Sequence, residues 1–389
     1  MMTHRERTLA LLHYQPCDRL PVVNFGGFWV ETLQKWAAEG HISQEEAEGW
    51  VEGNAFDRSV CAKLGFDFDW LTVIYPFEWY KIPRGKDIRP PFEERFVEER
   101  PDGSRLVQNA DGVILLDRGP AAGSRETSIP AEVDHLLKDR ASWEEHYLPR
   151  LQYSPERVDM QALTDRQKAA AEEGLPFGLY CGSMIGRVRE WTGLVGLSYI
   201  LADDERLFDE MIDTNADLCY KMVEQLLATG TRFDFGYFWE DMCFKNGPLV
   251  SPKVFESKLL THYARIVKLL NGHGIDIVGL DSDGRVDKLI PSWLAAGVNT
   301  MLPIEVGTWG SSIGPWREQY GRQIRGVGGV RKYVFALDRA AVDAELERLR
   351  PLVELGGYIP CPDHSLPPDV EWENVRYYTD RIREMLQTS

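Results

Sequence analysis

The feature that most constrains the fold is a repeat of strand, polar loop and helix in the second half of the chain. From Pro176 onward, six apolar strand-like segments each precede a segment with helical spacing, and they begin at Phe177, Phe233, Asp276, Thr300, Ile324 and Gly357. Such a repeat predicts parallel strands joined by crossover helices. Two architectures satisfy this pattern, an open doubly wound sheet and a closed barrel.

Two observations in the N-terminal part favour the barrel. Leu20–Phe25 and Trp70–Ile74 are further apolar runs, which bring the strand count to about eight. No GxGxxG phosphate-binding sequence follows the first of them. We therefore predict an α/β chain that folds as a (β/α)8 TIM barrel, with a single barrel domain over residues 1–389.

Residues 81 to about 120 differ from the rest of the chain because they are rich in proline, glycine and charge. Within them, Pro101-Asp102-Gly103-Ser104 separates two short alternating segments, which is typical of a β-hairpin turn. We expect an antiparallel hairpin excursion inserted into the barrel.

The charge and cysteine content exclude several classes of protein. A formal net charge of −17 disfavours binding to nucleic acid and to anionic membrane surfaces. The N-terminus carries charges of both signs and has no signal-peptide pattern, and no apolar run approaches the ~20 residues of a membrane helix. Six scattered cysteines without a CxxC pair favour a reducing compartment. We expect a cytoplasmic protein with a small-molecule substrate.

In such a barrel the active site lies at the C-terminal ends of the strands. Four predicted strands end in acidic or histidine residues, namely Glu240, Asp281 with Asp283, Glu305, and His364. We predict Glu240, Asp281 and His364 as catalytic residues, because helix capping does not readily explain three such strand ends. Asp283 fits either a helix cap or a functional role.

The same residues suggest a cation or metal site. Clustered carboxylates favour a proton, a cation or a metal between them. Asp281, Asp283, Cys361 and His364 are the predicted metal ligands, with zinc as the candidate ion. The spacing of Cys361 and His364 is not a specific zinc motif, and Cys361 taken alone fits a small buried residue better than a ligand.

A second group of residues is predicted to bind the substrate. Arg187 follows Gly182-Ser183-Met184-Ile185-Gly186, where backbone N–H groups and a guanidinium could face an anionic group. A helix start with a surface arginine explains the same sequence. The full predicted set is Arg187, Trp239, Lys245, Asp283 and Glu305.

Segments spread over almost the whole chain resemble the uroporphyrinogen decarboxylase superfamily, which also contains cobalamin-dependent methyltransferases. They are Arg5–Leu12, Cys17–Val22, Trp239–Pro248, Ser251–Pro252, Asp281–Gly284, Leu289–Pro291 and Asp363–Val370. This resemblance implies the (β/α)8 barrel that the strand count also predicts.

The sequence departs from two branches of that superfamily. The decarboxylases carry an arginine-rich stretch after the first strand, where this chain has Asn24–Trp29. The coenzyme M methyltransferases hold zinc with a His-x-Cys pair, where this chain has Asp281 and Asp283, and with a cysteine near the position of His364. The motifs WEDM, DSDG and DHS are similar to those of proteins linked with corrinoid methyl transfer.

The resemblance therefore implies a corrinoid-dependent methyltransferase that acts on a small methylated substrate, with the corrinoid supplied by a partner protein and with zinc as a candidate aid. Two alternatives stay open. One is a decarboxylase-type lyase acting on a tetrapyrrole-like carboxylate, and the other is a non-catalytic binding protein on the same barrel. A homodimer is a candidate assembly.

Overall fold

The computed structural model describes residues 1–75, 87–117 and 131–385. Its N-terminal part alternates helices with short strands: α1 (His4–Leu12), β1 (Val23–Asn24), α2 (Val30–Ala38), α3 (Gln44–Gly49), α4 (Ala55–Leu64), β2 (Phe68–Asp69) and β3 (Ile74–Tyr75). Capping boxes at Thr3 and Ser43 begin α1 and α3. The predicted strand at Trp70–Ile74 is wrong in detail, because Leu71–Val73 forms a 3₁₀ turn between β2 and β3.

The predicted antiparallel excursion is present and larger than a hairpin. Its strands are β4 (Arg95–Glu99), β5 (Arg105–Gln108), β6 (Val113–Asp117) and β7 (Ala131–His135), paired in that order. Between β4 and β5, Asp102 Oδ1 accepts a hydrogen bond from Ser104 N (3.0 Å), as the turn sequence predicted. The sheet also includes β7, which lies beyond residue 120, while residues 81–86 and 118–130 lie outside the described ranges. The helices α5 (Arg140–Ser142) and α6 (Met160–Glu173) lead back to the barrel.

The second half of the chain follows the predicted repeat. Its elements are β8 (Gly178–Gly182), α7 (Ile185–Asp203), α8 (Glu205–Ala228), β9 (Phe235–Trp239), β10 (Cys243–Phe244), β11 (Gly247–Pro248), α9 (Pro252–Lys258), α10 (Leu260–Gly272), β12 (Val278–Asp281), α11 (Ile290–Ala296), β13 (Thr300–Ile304), α12 (Val306–Trp309), α13 (Ile313–Tyr320), β14 (Arg325–Val330), α14 (Arg339–Glu354), β15 (Tyr358–Pro362) and α15 (Trp372–Glu384). Across the described residues, no helix combines the length and apolarity needed to cross a bilayer.

The parallel strands form the wall of a barrel. Seven of them pair in the order β3-β8-β9-β12-β13-β14-β15, and β1 pairs in parallel with β2. The segments that follow the last and the first strands meet through two backbone hydrogen bonds, Trp29 N to Leu366 O (3.1 Å) and Leu366 N to Gly27 O (3.2 Å). Since β2 and β3 share the second position, the wall has the eight positions of a (β/α)8 barrel. The predicted fold class is confirmed.

Apolar side chains fill the lower part of the barrel and leave its mouth polar. Every residue of β9, β13 and β15 is buried, as expected for parallel strands covered on both faces. Trp70 stacks on Phe235 with ring centroids 5.0 Å apart. Polar side chains therefore gather where the strands end, at their C-terminal side.

Glycines inside β14 determine where that strand ends. A Cβ on Gly328 would lie 2.5 Å from Ile304 N, so only glycine lets β14 approach β13 this closely. In the sequence, the strand-like segment Ile324–Val327 stops before the glycine pair Gly328-Gly329, which predicts an earlier strand end. The strand continues to Val330, which brings Lys332 to the mouth of the barrel.

Candidate active site at the barrel mouth

The C-terminal ends of β9, β12 and β13 lie side by side, because the backbone hydrogen bonds between these strands continue one residue beyond β9 and β12. Glu240 N donates to Asp281 O (2.8 Å), and Ser282 N donates to Leu302 O (2.9 Å). Glu305 follows β13 directly, and its Oε2 accepts from Gly284 N (2.7 Å). Predicted site residues from three neighbouring strands are thus brought to one rim.

Three carboxyl groups converge at this rim. Asp241, Asp281 and Asp283 each place one oxygen within 4.8 Å of the others, and together they are called the carboxylate cluster below. Asp283 N donates to Asp241 Oδ1 (3.2 Å), and the hydroxyl of Tyr237 donates to Asp281 Oδ2. Asp241 has a φ of +42°, a conformation that aspartate tolerates better than most residues.

Burial and mutual repulsion raise the pKa of these carboxyl groups. Burial, followed by the charges of Asp241 and Asp283, raises the pKa of Asp281 well above its ordinary value. Burial and the charge of Asp283 raise the pKa of Asp241 to about 7, and the same two causes raise the pKa of Glu305 to about 7. The rim therefore holds protons at neutral pH and favours any cation that takes their place.

His364 extends the cluster from the other side of the mouth. Its Nε2 lies 3.5 Å from Asp283 Oδ2, and its Nδ1 accepts a hydrogen bond from Ser365 N (2.8 Å). Burial opposes protonation of the ring, but the hydrogen bond and charge of Asp283 outweigh it, so the pKa of His364 is raised. The predicted residues Asp281, Asp283, Glu305 and His364 are therefore neighbours.

Glu240 lies beside the cluster with a different set of contacts. Its side chain is fully buried, and its carboxylate accepts hydrogen bonds from Met184 N (2.8 Å), Ile185 N (3.0 Å) and Gly186 N (2.8 Å). The hydroxyl of Tyr263 donates to it as well. These contacts anchor the start of α7, so they favour a positioning role. The predicted acid/base role of Glu240 remains a prediction.

The predicted substrate-binding residues Trp239, Arg187 and Lys245, at or after the ends of β8 and β9, are arranged differently. Trp239 is buried, and the guanidinium of Arg187 lies 5.1 Å from its ring centroid. Arg187 also pairs with Asp87 (2.9 Å) and Glu190 (2.5 Å), so its charge is already compensated. Lys245 is exposed at the turn between β10 and β11. A role for either cation in binding an anionic substrate remains a prediction.

The residues at the mouth do not fit thiolate-bound zinc. Cys361 is fully buried, and burial raises the pKa of its thiol well above the ordinary value. Within the described ranges, the group with ligand atoms close enough for an ion contains Asp241 in place of Cys361 and His364. An all-carboxylate set suits a hard cation that prefers oxygen. We therefore assign no zinc-dependent step to this site.

The sequence analysis missed two charged residues at the mouth. Asp241 was passed over in favour of Glu240, although both follow β9 directly. Lys332 was missed because the glycines of β14 suggested an early strand end. Its Nζ donates to Ser365 O (3.2 Å), and burial lowers its pKa. A prediction that β14 extends to Val330 would have placed Lys332 at the mouth of the barrel.

The fold and the polar strand ends define the class of this chain as a TIM-barrel protein with its candidate site at the C-terminal mouth. The chain resembles a methyltransferase from Methanosarcina mazei over 99% of both chains, with a TM-score of 0.62 and 16% identity. This similarity shows a shared fold.

A B12-independent methionine synthase from Shewanella sp. W3-18-1, solved with selenomethionine, matches 95% of this chain and 100% of its own length, with a TM-score of 0.47 and 10% identity. No protein-family model matches the sequence, and no curated protein does.

Proposed function

We propose that this chain is a methyltransferase that acts on a small methylated substrate and passes the methyl group to a corrinoid held by a partner protein. The observation that carries the proposal is the proton-holding carboxylate cluster, in the mouth of a barrel whose fold a known methyltransferase shares over its whole length. A methyl group bound to oxygen, nitrogen or sulfur leaves readily only when that atom is protonated or coordinated.

Asp281 is the residue best suited to give that proton. It is buried at 6% exposure, and its Oδ2 accepts from Tyr237, which leaves Oδ1 to carry the proton. As the bond between the methyl carbon and its heteroatom breaks, the proton of Asp281 moves to the heteroatom and the carboxylate remains. Asp283 and His364 stand beside it as a pair that orients the substrate or returns the proton.

The corrinoid, when bound, supplies the nucleophile that accepts the methyl group. Its docking requires an open mouth with apolar surface, and exposed aromatic residues stand at three strand ends: Trp29 after β1, Phe244 after β9 and Tyr333 after β14. Exposed aromatic surface around a cavity is typical of an interaction site. This rim is the surface that we assign to the partner protein.

The decarboxylase alternative is less well supported. A tetrapyrrole with several carboxylates needs several cations at the mouth, and the described part of the mouth has more carboxyl groups than cations. The segment Asn24–Trp29 contains no arginine, and Arg187 is already paired with Asp87 and Glu190. No contact of the described residues favours this alternative.

The test follows methyl transfer by the absorbance change of reduced cobalamin in the presence of a panel of methoxylated, N-methylated and S-methylated donors. We expect at least one donor to be used, and we expect Asp281→Asn to slow the reaction about 100-fold because asparagine cannot supply the proton. The matched control is Asp276→Asn, an exposed residue just before the same strand that should keep full activity. No transfer from any donor, or equal rates for Asp281→Asn and the native protein, would contradict the proposal.

A further inference from the structure

The segment Trp50–Asn54, between α3 and α4, covers the first-strand side of the mouth. The ring of Trp50 packs edge-on against Phe28 with centroids 6.1 Å apart, and its Nε1 donates to Asp57 Oδ1 (3.0 Å). A Cβ on Gly27 would lie 2.7 Å from the Trp50 ring, so the segment rests directly on the turn that follows β1. Glu52, in the middle of this segment, is thereby held at the mouth.

Glu52 is half-buried, and one of its carboxyl oxygens has no hydrogen-bond partner among the described residues. Its Oε1 is shielded from solvent and has no donor or acceptor within the described residues. The charges of three acidic groups act on it: Asp69 at the end of β2, Asp57 on α4 and Asp281 at the end of β12. Asp69 and Asp281 lie at the ends of strands on different sides of the barrel. A carboxyl group close enough to interact with both therefore lies over the mouth. Burial, and then these charges, raise the pKa of Glu52 well above its ordinary value.

Asn24, on the same first-strand side of the mouth, provides a second oxygen atom without a hydrogen-bond donor. Its side chain is fully buried, and Nδ2 donates to Asp69 Oδ2 (2.8 Å). Its Oδ1 has no donor among the residues that the structure describes. A buried acceptor without a donor costs about 1–3 kcal/mol, so an unpaired oxygen in a mouth indicates a place for a ligand group.

Among the residues that the structure describes, carboxyl groups outnumber cations at the mouth, where Lys332 and His364 face Asp283 and Glu305. Lys332 donates to a backbone carbonyl, and Arg187 is paired with carboxylates of its own. On the first-strand side, the rings of Phe28 and Trp50 pack together, and the ring of Trp29 is exposed. An organic ammonium ion binds where oxygen acceptors have no donor, where carboxyl groups outnumber cations, and where aromatic rings are within reach.

We propose that the first-strand side of the mouth binds a methylated ammonium group of the substrate, with Glu52 as its counter-ion and Asn24 Oδ1 as an acceptor for its N–H. This inference rests on the proposed function, since it names a group that the methyl donor carries. The methyl group that is transferred leaves from another atom of the donor, which takes the proton of Asp281. Binding releases the proton of Glu52 to solvent, so that a neutral acid and a cation become a carboxylate paired with that cation. The released proton can be counted without any catalysis.

The experiment is isothermal titration calorimetry on chelator-treated protein at neutral pH, in two buffers of different ionisation enthalpy. Trimethylammonium chloride is the probe, tetramethylammonium chloride lacks the N–H, and tert-butanol is a neutral molecule of similar shape. We expect trimethylammonium to bind with release of about one proton, tetramethylammonium to bind more weakly, and tert-butanol not to bind. Equal binding of tert-butanol, absence of proton release, or no binding of trimethylammonium at millimolar concentration would overturn the inference.

Two variants assign the effect to Glu52. Glu52→Gln keeps the shape of the side chain and removes its proton, so we expect about tenfold weaker binding and no proton release. Glu48→Gln, at an exposed position in α3 four residues earlier, should behave as the native protein. If ligand binding to Glu52→Gln still releases a proton, another carboxyl group is responsible and the assignment to Glu52 fails. If this variant does not fold, the three titrations of the native protein still test the class of ligand.

The two proposals fail separately. Ammonium binding with proton release but without methyl transfer would remove the methyltransferase proposal and leave the binding site. Methyl transfer from a neutral donor, with no ammonium binding, would remove this inference alone.

Discussion

His364 and Asp283 reach the mouth from β15 and β12, and their contacts define how the ring is protonated. Because Nδ1 of His364 accepts a hydrogen bond from Ser365 N, the proton of the neutral ring lies on Nε2, which faces Asp283. A second proton at Nδ1 requires that hydrogen bond to break. The ring is therefore best suited to exchange a proton with Asp283 or with the substrate between them.

Replacing Asp283 should change the titration of this histidine. Asp283→Asn removes the charge that raises the pKa of His364, and burial then lowers that pKa below its ordinary value. The titration of the ring carbon signals by NMR measures the change. Asp287→Asn, an exposed position four residues later, is the matched control and should leave the histidine unchanged. An unaltered pKa in Asp283→Asn would mean that other groups hold the proton.

At the scale of single residues, the sequence was informative only where a strand end could be located. Asp281, Asp283, Glu305 and His364 directly follow apolar runs, so barrel topology alone predicts that they meet. Glu52 follows no strand, and only the packing of Trp50 on the turn after β1 brings it to the mouth. No periodicity or motif in the sequence indicates that contact.

Helix α7 shows how one carboxylate orders an element. Its first turn points three backbone N–H groups at Glu240, and a helix N-terminus favours negative charge. Gly186 allows this approach, since a Cβ there would lie 2.4 Å from Glu240 O. The start of α7 and the end of β9 are thus fixed to each other.

Glu240→Gln separates the anchoring role from an acid/base role. The amide keeps one acceptor oxygen and turns an N–H₂ group toward backbone donors, so we expect the free energy of unfolding to fall by about 2 kcal/mol. Urea unfolding followed by circular dichroism measures this. A variant of native stability that has lost all activity would instead favour the predicted acid/base role.

Elements were predicted best where apolar runs were long and uninterrupted. The six C-terminal strands follow the predicted repeat because parallel strands buried on both faces are apolar throughout. The errors occur at short or glycine-containing strands. Trp70–Ile74 contains a 3₁₀ turn, and β14 passes through Gly328, which a propensity argument counts as a strand breaker.

For the molecule as a whole, the carboxyl groups at the mouth make stability depend on pH. Asp69, Asp241 and Glu305 each have a pKa raised to about 7, with burial as the main cause. Between the ordinary carboxyl pKa and about 7 the folded chain holds protons that the unfolded chain has lost. The free energy of unfolding should therefore be largest near the low end of that range and fall as the pH rises through 7.

Glu305→Gln tests this dependence at one position. Glutamine can still accept from Gly284 N and Trp309 Nε1, and it carries no charge at any pH. We expect the variant to gain about 2 kcal/mol relative to the native protein between pH ~5 and pH ~8. Urea unfolding at both pH values measures the difference. A constant difference would mean that Glu305 is charged throughout.

The junction between the first and last strands has a consequence for how the chain acquires its site. Leu366 bonds to the backbone on both sides of Phe28, and the hydroxyl of Ser365 donates to Gly26 O (2.5 Å). His364 precedes these residues, while the segment that carries Glu52 rests on the same turn. During synthesis, His364 and Glu52 can therefore reach the mouth only after Leu366 has been made. A fragment that lacks either Gly26–Trp29 or Ser365–Leu366 should lose the positions of both side chains.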